Sequence, residues 1–259
     1  MTPNNHTHGT GDRPVITMRL LDGFELLVQD DPVPVIPSSQ RLLAYLALHE
    51  GSVPRQTVAA TLWPGATAQR AAACLRSALW RLVKPPYPLV EGGKERLRIG
   101  AAVDTDVARI RRFVAERASA PPFVPLPALT ADLLPGWTER WVVAEREWCR
   151  QVCLRALEML SERFRASGDN FRAHETAAAA VRGDPLRESA HRRLIELHLA
   201  DGNPAAALRQ YAAYQALLRA ELGVSPSPEI RRLVAPVFAG REDELGGIPG
   251  VATGSHAAR

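Results

Sequence analysis

The side chains best spaced for chemistry lie between Thr67 and Arg98. If Thr67 caps a helix running to Lys84, Arg70, Ala73, Ser77 and Arg81 gather on one side of it. Lys84 and Trp80 stand beside them, and Gln69 and Arg76 lie on the flank. Ala72, Leu75, Leu79 and Leu82 gather on the opposite, apolar side. Cations at both ends of a face with small residues between them suit a helix whose backbone must approach the floor of a nucleic-acid groove. Arginine pairs with two acceptors on a guanine edge, while Lys, Ser and Gln bind phosphate or base edges. A second basic group follows in YPLVEGGKERLRIG, where Lys94, Arg96 and Arg98 alternate along a short segment. From Gln69 to Arg98 seven cations are opposed only by Glu91 and Glu95. Taken alone, an arginine-bearing wet face is common on merely solvated helices, so the elements around it carry the argument.

Those elements form an ordered series. Short apolar runs from Ile16 to Ile36, broken at Asp22-Gly23 and at Asp30-Asp31-Pro32, predict a small antiparallel sheet with a tight Asp-Gly turn. Ser38 or Ser39 is the expected N-cap of a helix through QRLLAYLALHE, striped by Leu42, Leu43 and Leu46 and stopped at Gly51. A second helix is expected from Pro54, a residue suited to the first helical position, with Val58, Leu62 and Trp63 inward. Pro64-Gly65 supplies the turn into the basic helix. Pro88 to Ile99 then predicts a hairpin turning at Glu91-Gly92-Gly93-Lys94. Strands, three helices and a basic hairpin in this order predict a winged helix-turn-helix, with the third helix aimed at the DNA major groove and the wing near flanking phosphates.

The C-terminal half follows a different logic. After a Pro-rich connector, a helix is expected from about Thr138 to Ser167, with Trp137, Trp141 and Trp148 on one face continued by Val152 and Met159, a stripe that reads as core. The segments around Gly168 and Gly202, matched glycine to glycine, align at an offset of 34 residues, placing Ala166, Gly168 and Ala173 over Ala200, Gly202 and Ala207. That offset is the tetratricopeptide period. Asp184-Pro185 is expected to cap and open the helix between the matched segments. His174, His191 and His198 lack the spacing of a helical metal site and are read as packing or surface residues. Cys149 and Cys153, four apart on one helix, are read as small packing residues, with no metal site and no disulfide framework implied.

Composition bounds the class. With 46% apolar and 23% charged residues and a net charge of +4, the chain reads as a globular protein slightly disposed to a polyanionic partner. No apolar run reaches the length of a membrane span and no signal peptide is evident, so a cytoplasmic location is expected. Motifs of nucleophilic, metallopeptidase and phosphate-binding chemistry are missing, and neither an enzyme activity nor a cofactor is expected. The expected fold is mainly α with a small antiparallel β component. A leader (1–14) and a tail (240–259) without order flank a winged helix-turn-helix domain (15–102) and an all-α, tetratricopeptide-like domain (103–239).

Three stretches carry a resemblance. LLPGWTERWVVAERE (Leu133 to Glu147), the run Asp184-Pro185-Leu186-Arg187-Glu188, and Glu221-Leu222-Gly223-Val224 ending in Pro226 resemble the SARP family of bacterial antibiotic regulatory proteins. Their C-terminal part is similar to the bacterial transcriptional activator domain, and the segment before it resembles an OmpR-type winged helix. The resemblance implies a transcriptional activator that binds direct repeats in double-stranded DNA, self-associates there, recruits RNA polymerase and controls a biosynthetic or secondary-metabolite gene cluster. It carries the recognition helix onto Thr67 to Lys84 and the wing onto Pro88 to Ile99. Thr67, Gln69, Arg70, Ala73, Arg76, Ser77, Arg81, Lys84, Lys94, Arg96 and Arg98 are the expected DNA-contacting residues. The competing reading is a tetratricopeptide-like adaptor, binding protein or sensing a ligand without touching DNA.

Overall fold

The computed structural model describes residues 16–82, 88–116 and 124–246, with side chains described as far as residue 238. Lys84, the leader and most of the expected tail lie outside these residues. The chain divides into two compact units, Met1–Ala156 and Leu157–Arg259.

The first unit opens with β1 (Ile16–Arg19) and β2 (Glu25–Val28), paired antiparallel with Ile16 opposite Val28. Asp22 and Gly23 make the turn with φ of 67° and 133°, and the positive values explain why Asp-Gly occupies it. β3 (Asp31–Pro32) adds a short edge to β2. α1 (Pro37–Leu48) starts at the proline, before the expected serine caps, because Pro37 suits the first helical position and Ile36 already holds an extended backbone. Ser39 is instead buried and donates its hydroxyl to the Ala78 carbonyl at 3.1 Å. Pro54 is likewise corrected: it ends a short strand, β4 (Val53–Pro54), and the next helix, α2 (Arg55–Leu62), begins one residue later.

α3 (Ala68–Arg81) follows after the Pro64-Gly65 turn, capped as expected by the Thr67 hydroxyl, which accepts the Arg70 backbone N–H at 3.3 Å. β5 (Val90–Gly92) and β6 (Arg96–Ile99) form the hairpin, in register Val90 to Ile99 and Glu91 to Arg98. β4 pairs with the other edge of β6, so the wing is a three-stranded sheet ordered β4-β6-β5. Two glycines allow this closeness. A Cβ on Gly92 would lie 2.2 Å from the Arg96 carbonyl oxygen, and one on Gly100 would lie 2.1 Å from that of Pro88.

β7 (Val103–Thr105) returns to the first sheet and runs parallel to β1, completing the order β3-β2-β1-β7. α4 (Asp106–Glu116) follows at once. Asp106 is buried and accepts the N–H groups of Leu20 and Leu21, both at 2.9 Å, which fixes the end of β1. Burial pushes its carboxyl up, with these donors opposing the shift. The domain boundary expected after residue 102 therefore falls inside the first unit, because strand pairing and this carboxylate hold β7 and α4 to β1. A short α5 (Leu126–Leu129) precedes a turn whose Leu133 bridges Leu21 and whose Leu134 N–H reaches the Leu20 carbonyl at 2.9 Å.

The first part of α6 (Arg140–Ala166) completes this unit. Trp137 precedes the helix, and Trp148 is partly exposed with the Arg111 guanidinium 4.9 Å from its ring centre. The expected Trp137–Trp141–Trp148 core stripe is thus replaced by Val142, Cys149, Cys153 and Ala156, all buried. The hydrogen bond to Cys153, then burial, pushes the Cys149 thiol up, so it stays protonated and packs.

The second unit holds the rest of α6, then α7 (Asn170–Gly183), α8 (Glu188–Ala200), α9 (Pro204–Leu222) and α10 (Pro228–Gly246). The last helix runs past Gly240, where the tail was expected to begin. The 34-residue repeat in the sequence is repeated bond for bond at two turns. Asp169 N–H bonds the Phe164 carbonyl and Asn203 N–H that of His198, each at 2.8 Å, and Gly168 and Gly202 both take positive φ. Asp169 and Asn203 then cap α7 and α9 by accepting the N–H of Arg172 and Ala206. Asp184-Pro185 does not open α8, whose N-cap is Arg187; Asp184 instead accepts the Leu186 N–H in the preceding turn at 3.3 Å.

Candidate nucleic-acid interface

The site is built on α3. Ala71, Leu75, Ala78 and Leu82 are its buried line, whereas Ala72 and Leu79 are half-buried. This rotates the helix slightly from the expected apolar side of Ala72, Leu75, Leu79 and Leu82. The small Ala71 and Ala78 let α3 sit close to its neighbours, and the larger Leu79 is displaced toward the rim. The outward direction consequently falls on Ala73, Ser77 and Trp80, with Gln69 and Arg76 to one side and Arg70 and Arg81 to the other. Gln69, Arg70, Arg76, Ser77 and Arg81 are exposed, and Ala73 is half-buried. α3 has no Asp or Glu along its length.

Thr67 accepts the Arg70 N–H at its hydroxyl oxygen to cap the helix, which leaves its O–H as a donor. Trp80, which the sequence places beside the basic side and suggests as a packing residue under the wing or against the second domain, is instead exposed. Its side chain is 69% exposed at the C-terminal end of the outward line. The helical wheel had it beside the basic face, but only the rotation of the helix brings it forward.

The wing presents fewer free cations than its sequence suggests. Arg98 forms a forked pair with Glu91 Oε2, at 2.6 Å and 3.0 Å. The Ala101 N–H and the Arg98 guanidinium hold the Glu91 carboxyl below the usual carboxylate range. Cross-strand register explains the pair, because Glu91 and Arg98 are directly opposite on β5 and β6. Arg96 donates to the Ser52 hydroxyl at 2.8 Å and also reaches the Ser52 carbonyl. Lys94, at the exposed tip, makes no ion pair among the described residues. The structure thus brings Gln69, Arg70, Ala73, Arg76, Ser77 and Arg81 onto one helix surface, while Arg96 and Arg98 are engaged within the wing. No group of three or more His, Cys, Asp or Glu among the described residues is placed to hold a metal ion. No helix of the described residues is long and apolar enough to cross a membrane.

The described residues thus hold a winged helix-turn-helix, with arginines on the outward side of its third helix, and a repeat of paired helices. Residues 127–237 match the family model of the bacterial transcriptional activator domain. The fold is similar to that of Mycobacterium tuberculosis EmbR, solved in complex with a low-affinity phosphopeptide, with a TM-score of 0.61 and 19% identity. That similarity covers 88% of this chain and 66% of EmbR, so the chain spans a little under two thirds of that protein's length. A search of curated proteins finds no match. The domain match and the shared fold support a SARP-like regulator, as the sequence motifs imply.

Those motifs are explained by packing. Arg146 donates to the carbonyls of Leu133, Leu134 and Trp137 at 2.9, 2.7 and 2.6 Å, closing the turn in which Leu134 and Gly136 have positive φ. Arg187 pairs with the buried Glu158 at 2.7 Å, and Glu188 accepts the Ser227 N–H at 2.9 Å. Gly223 ends α9 in the left-handed conformation. The residues that carry the resemblance hold the helices together.

Proposed function

We propose that this protein is a sequence-specific transcriptional activator. On this reading α3 enters the major groove of promoter DNA, its arginines contact base edges and phosphates, and Lys94 at the wing tip meets a flanking phosphate. Copies bind direct repeats and self-associate there, and the helical domain takes part in recruiting RNA polymerase to a biosynthetic or secondary-metabolite gene cluster. The observation that carries the reading is the outward side of α3: three arginines, small residues between them and no acid, on a helix-turn-helix. Polar backbone contacts would position the helix, and arginine on guanine would supply sequence preference.

The test is capture of genomic fragments by the full chain, followed by footprinting and binding at several salt concentrations. Binding should weaken linearly on a log–log salt plot as arginines displace counterions. Arg70→Ala with Arg81→Ala should cost roughly 1–3 kcal/mol for each side chain that reads a base. Two protected direct repeats about one helical turn apart would fit side-by-side binding. Failure to retain any duplex, or unchanged affinity in the folded double variant, would remove α3 as the reading element and favour the adaptor.

A further inference from the structure

We infer that Trp80 is a specificity-determining residue that packs its indole against the 5-methyl group of a thymine in the major groove. The inference rests on the DNA-binding reading of α3 and adds one base preference to it. Trp80 is 69% exposed, and no ring or cation contact among the described residues involves it. Trp137 and Trp141 lie in an aromatic cluster, and Trp148 has the Arg111 guanidinium near its ring, so the exposure of Trp80 is a property of its place on α3. That place is the outward line itself. Ser77 and Arg76 are three and four residues before it, hence its surface neighbours, and Arg81 follows it directly.

The surroundings favour duplex DNA over a protein as the group that covers the ring. The indole borders a groove lined by Val33, Val35 and Ile36 on one side, and it stands beside Arg76 and Arg81 on a helix without an acidic residue, a face complementary to a polyanion. Inside a duplex the faces of the bases are already stacked, so a groove-facing ring meets only base edges. The thymine methyl is the apolar group exposed on those edges in the major groove, and apolar side chains are its natural match. Ala73 and Ser77, on the same line, let the helix backbone come close enough for the ring to reach.

The experiment begins with random-sequence duplex DNA selected by the full-length protein and, in parallel, by Trp80→Ala and Trp80→Phe. Thymines of the selected site are then replaced one at a time by deoxyuridine, which removes only the methyl. The inference expects one position where deoxyuridine weakens wild-type binding about fourfold, the value of one buried methyl. At that position Trp80→Ala should bind thymine and deoxyuridine alike and select no base preference, and Trp80→Phe should keep part of the discrimination. If wild type selects a site but Trp80→Ala selects the same site with unchanged methyl dependence, the inference is overturned while DNA binding stands. If Trp80→Ala loses promoter activation with DNA binding intact, the ring docks on a protein and the inference is again overturned. If wild type selects nothing, the DNA-binding reading falls first and takes the inference with it.

Discussion

Trp141 stands edge-on to Tyr45, with ring centroids 5.3 Å apart and planes at 88°. The pair joins α1 to the first turn of α6, which lies within the segment matched to the activator domain. Trp137 continues the cluster at 6.2 Å from Trp141, and Arg41 pairs with Glu139 at 2.9 Å beside it. Trp137 and Trp141 are therefore a fastening between α1 and the start of the segment matched to the activator domain. A double-mutant cycle of Tyr45→Leu and Trp141→Leu, read by denaturant unfolding, should give a coupling of about 0.5–1.5 kcal/mol. Strict additivity would mean the rings only fill space.

Glu158 and Arg187 test the second unit. The Glu158 side chain is 7% exposed, with Arg187 and the Ser189 hydroxyl on it. Removing Arg187 takes the guanidinium from a buried carboxylate, so Arg187→Met should destabilise by about 3–5 kcal/mol. Arg187→Met combined with Glu158→Met should recover part of that loss. A cost near that of an exposed pair, below about 1 kcal/mol, would contradict the burial.

His191 sets a pH dependence. Its Nε2 donates to the Pro185 carbonyl at 2.9 Å, so its Nδ1 is the acceptor for the Gln210 amide at 2.8 Å. Burial lowers its pKa, and burial followed by the nearby His174 lowers that of His198. In the unfolded chain both titrate near the ordinary value of about 6.5. Below that pH the unfolded state binds protons that the folded state resists. Stability from these groups is fully present above pH of about 6.5 and declines as pH falls through it toward the lowered folded values. Chemical denaturation midpoints across this range should show the fall, and His191→Phe should reduce its slope. An unchanged slope would place the titration elsewhere.

Gly100 controls the base of the wing. Its added Cβ would meet the Pro88 carbonyl oxygen at 2.1 Å, whereas one on Gly65 would meet nothing within 4 Å. Gly100→Ala should therefore cost about 1–3 kcal/mol by overpacking, with Gly65→Ala close to neutral. Thermal unfolding of the two variants makes the comparison, and equal midpoints would show that the wing can shift without strain.

Much of this architecture is legible in the sequence because it is local. The Asp22-Gly23 turn, the Thr67 cap and the Gly168 and Gly202 turns each depend on a few adjacent residues whose backbone preferences permit little else. The offset of 34 residues reports two copies of one turn geometry, so it too is written along the chain. Tertiary structure decided what depends on partners distant in sequence. Pairing with Arg96 made Pro54 a strand residue, and pairing with β1 drew β7 into the first unit. Register set Arg98 on Glu91 and so removed a cation from the wing's free surface. Packing also rotated α3 about its axis. A helical wheel gives the order of residues around that axis but not its orientation, which is fixed when Ala71, Leu75, Ala78 and Leu82 are buried together. That rotation brought Trp80 to the outward face.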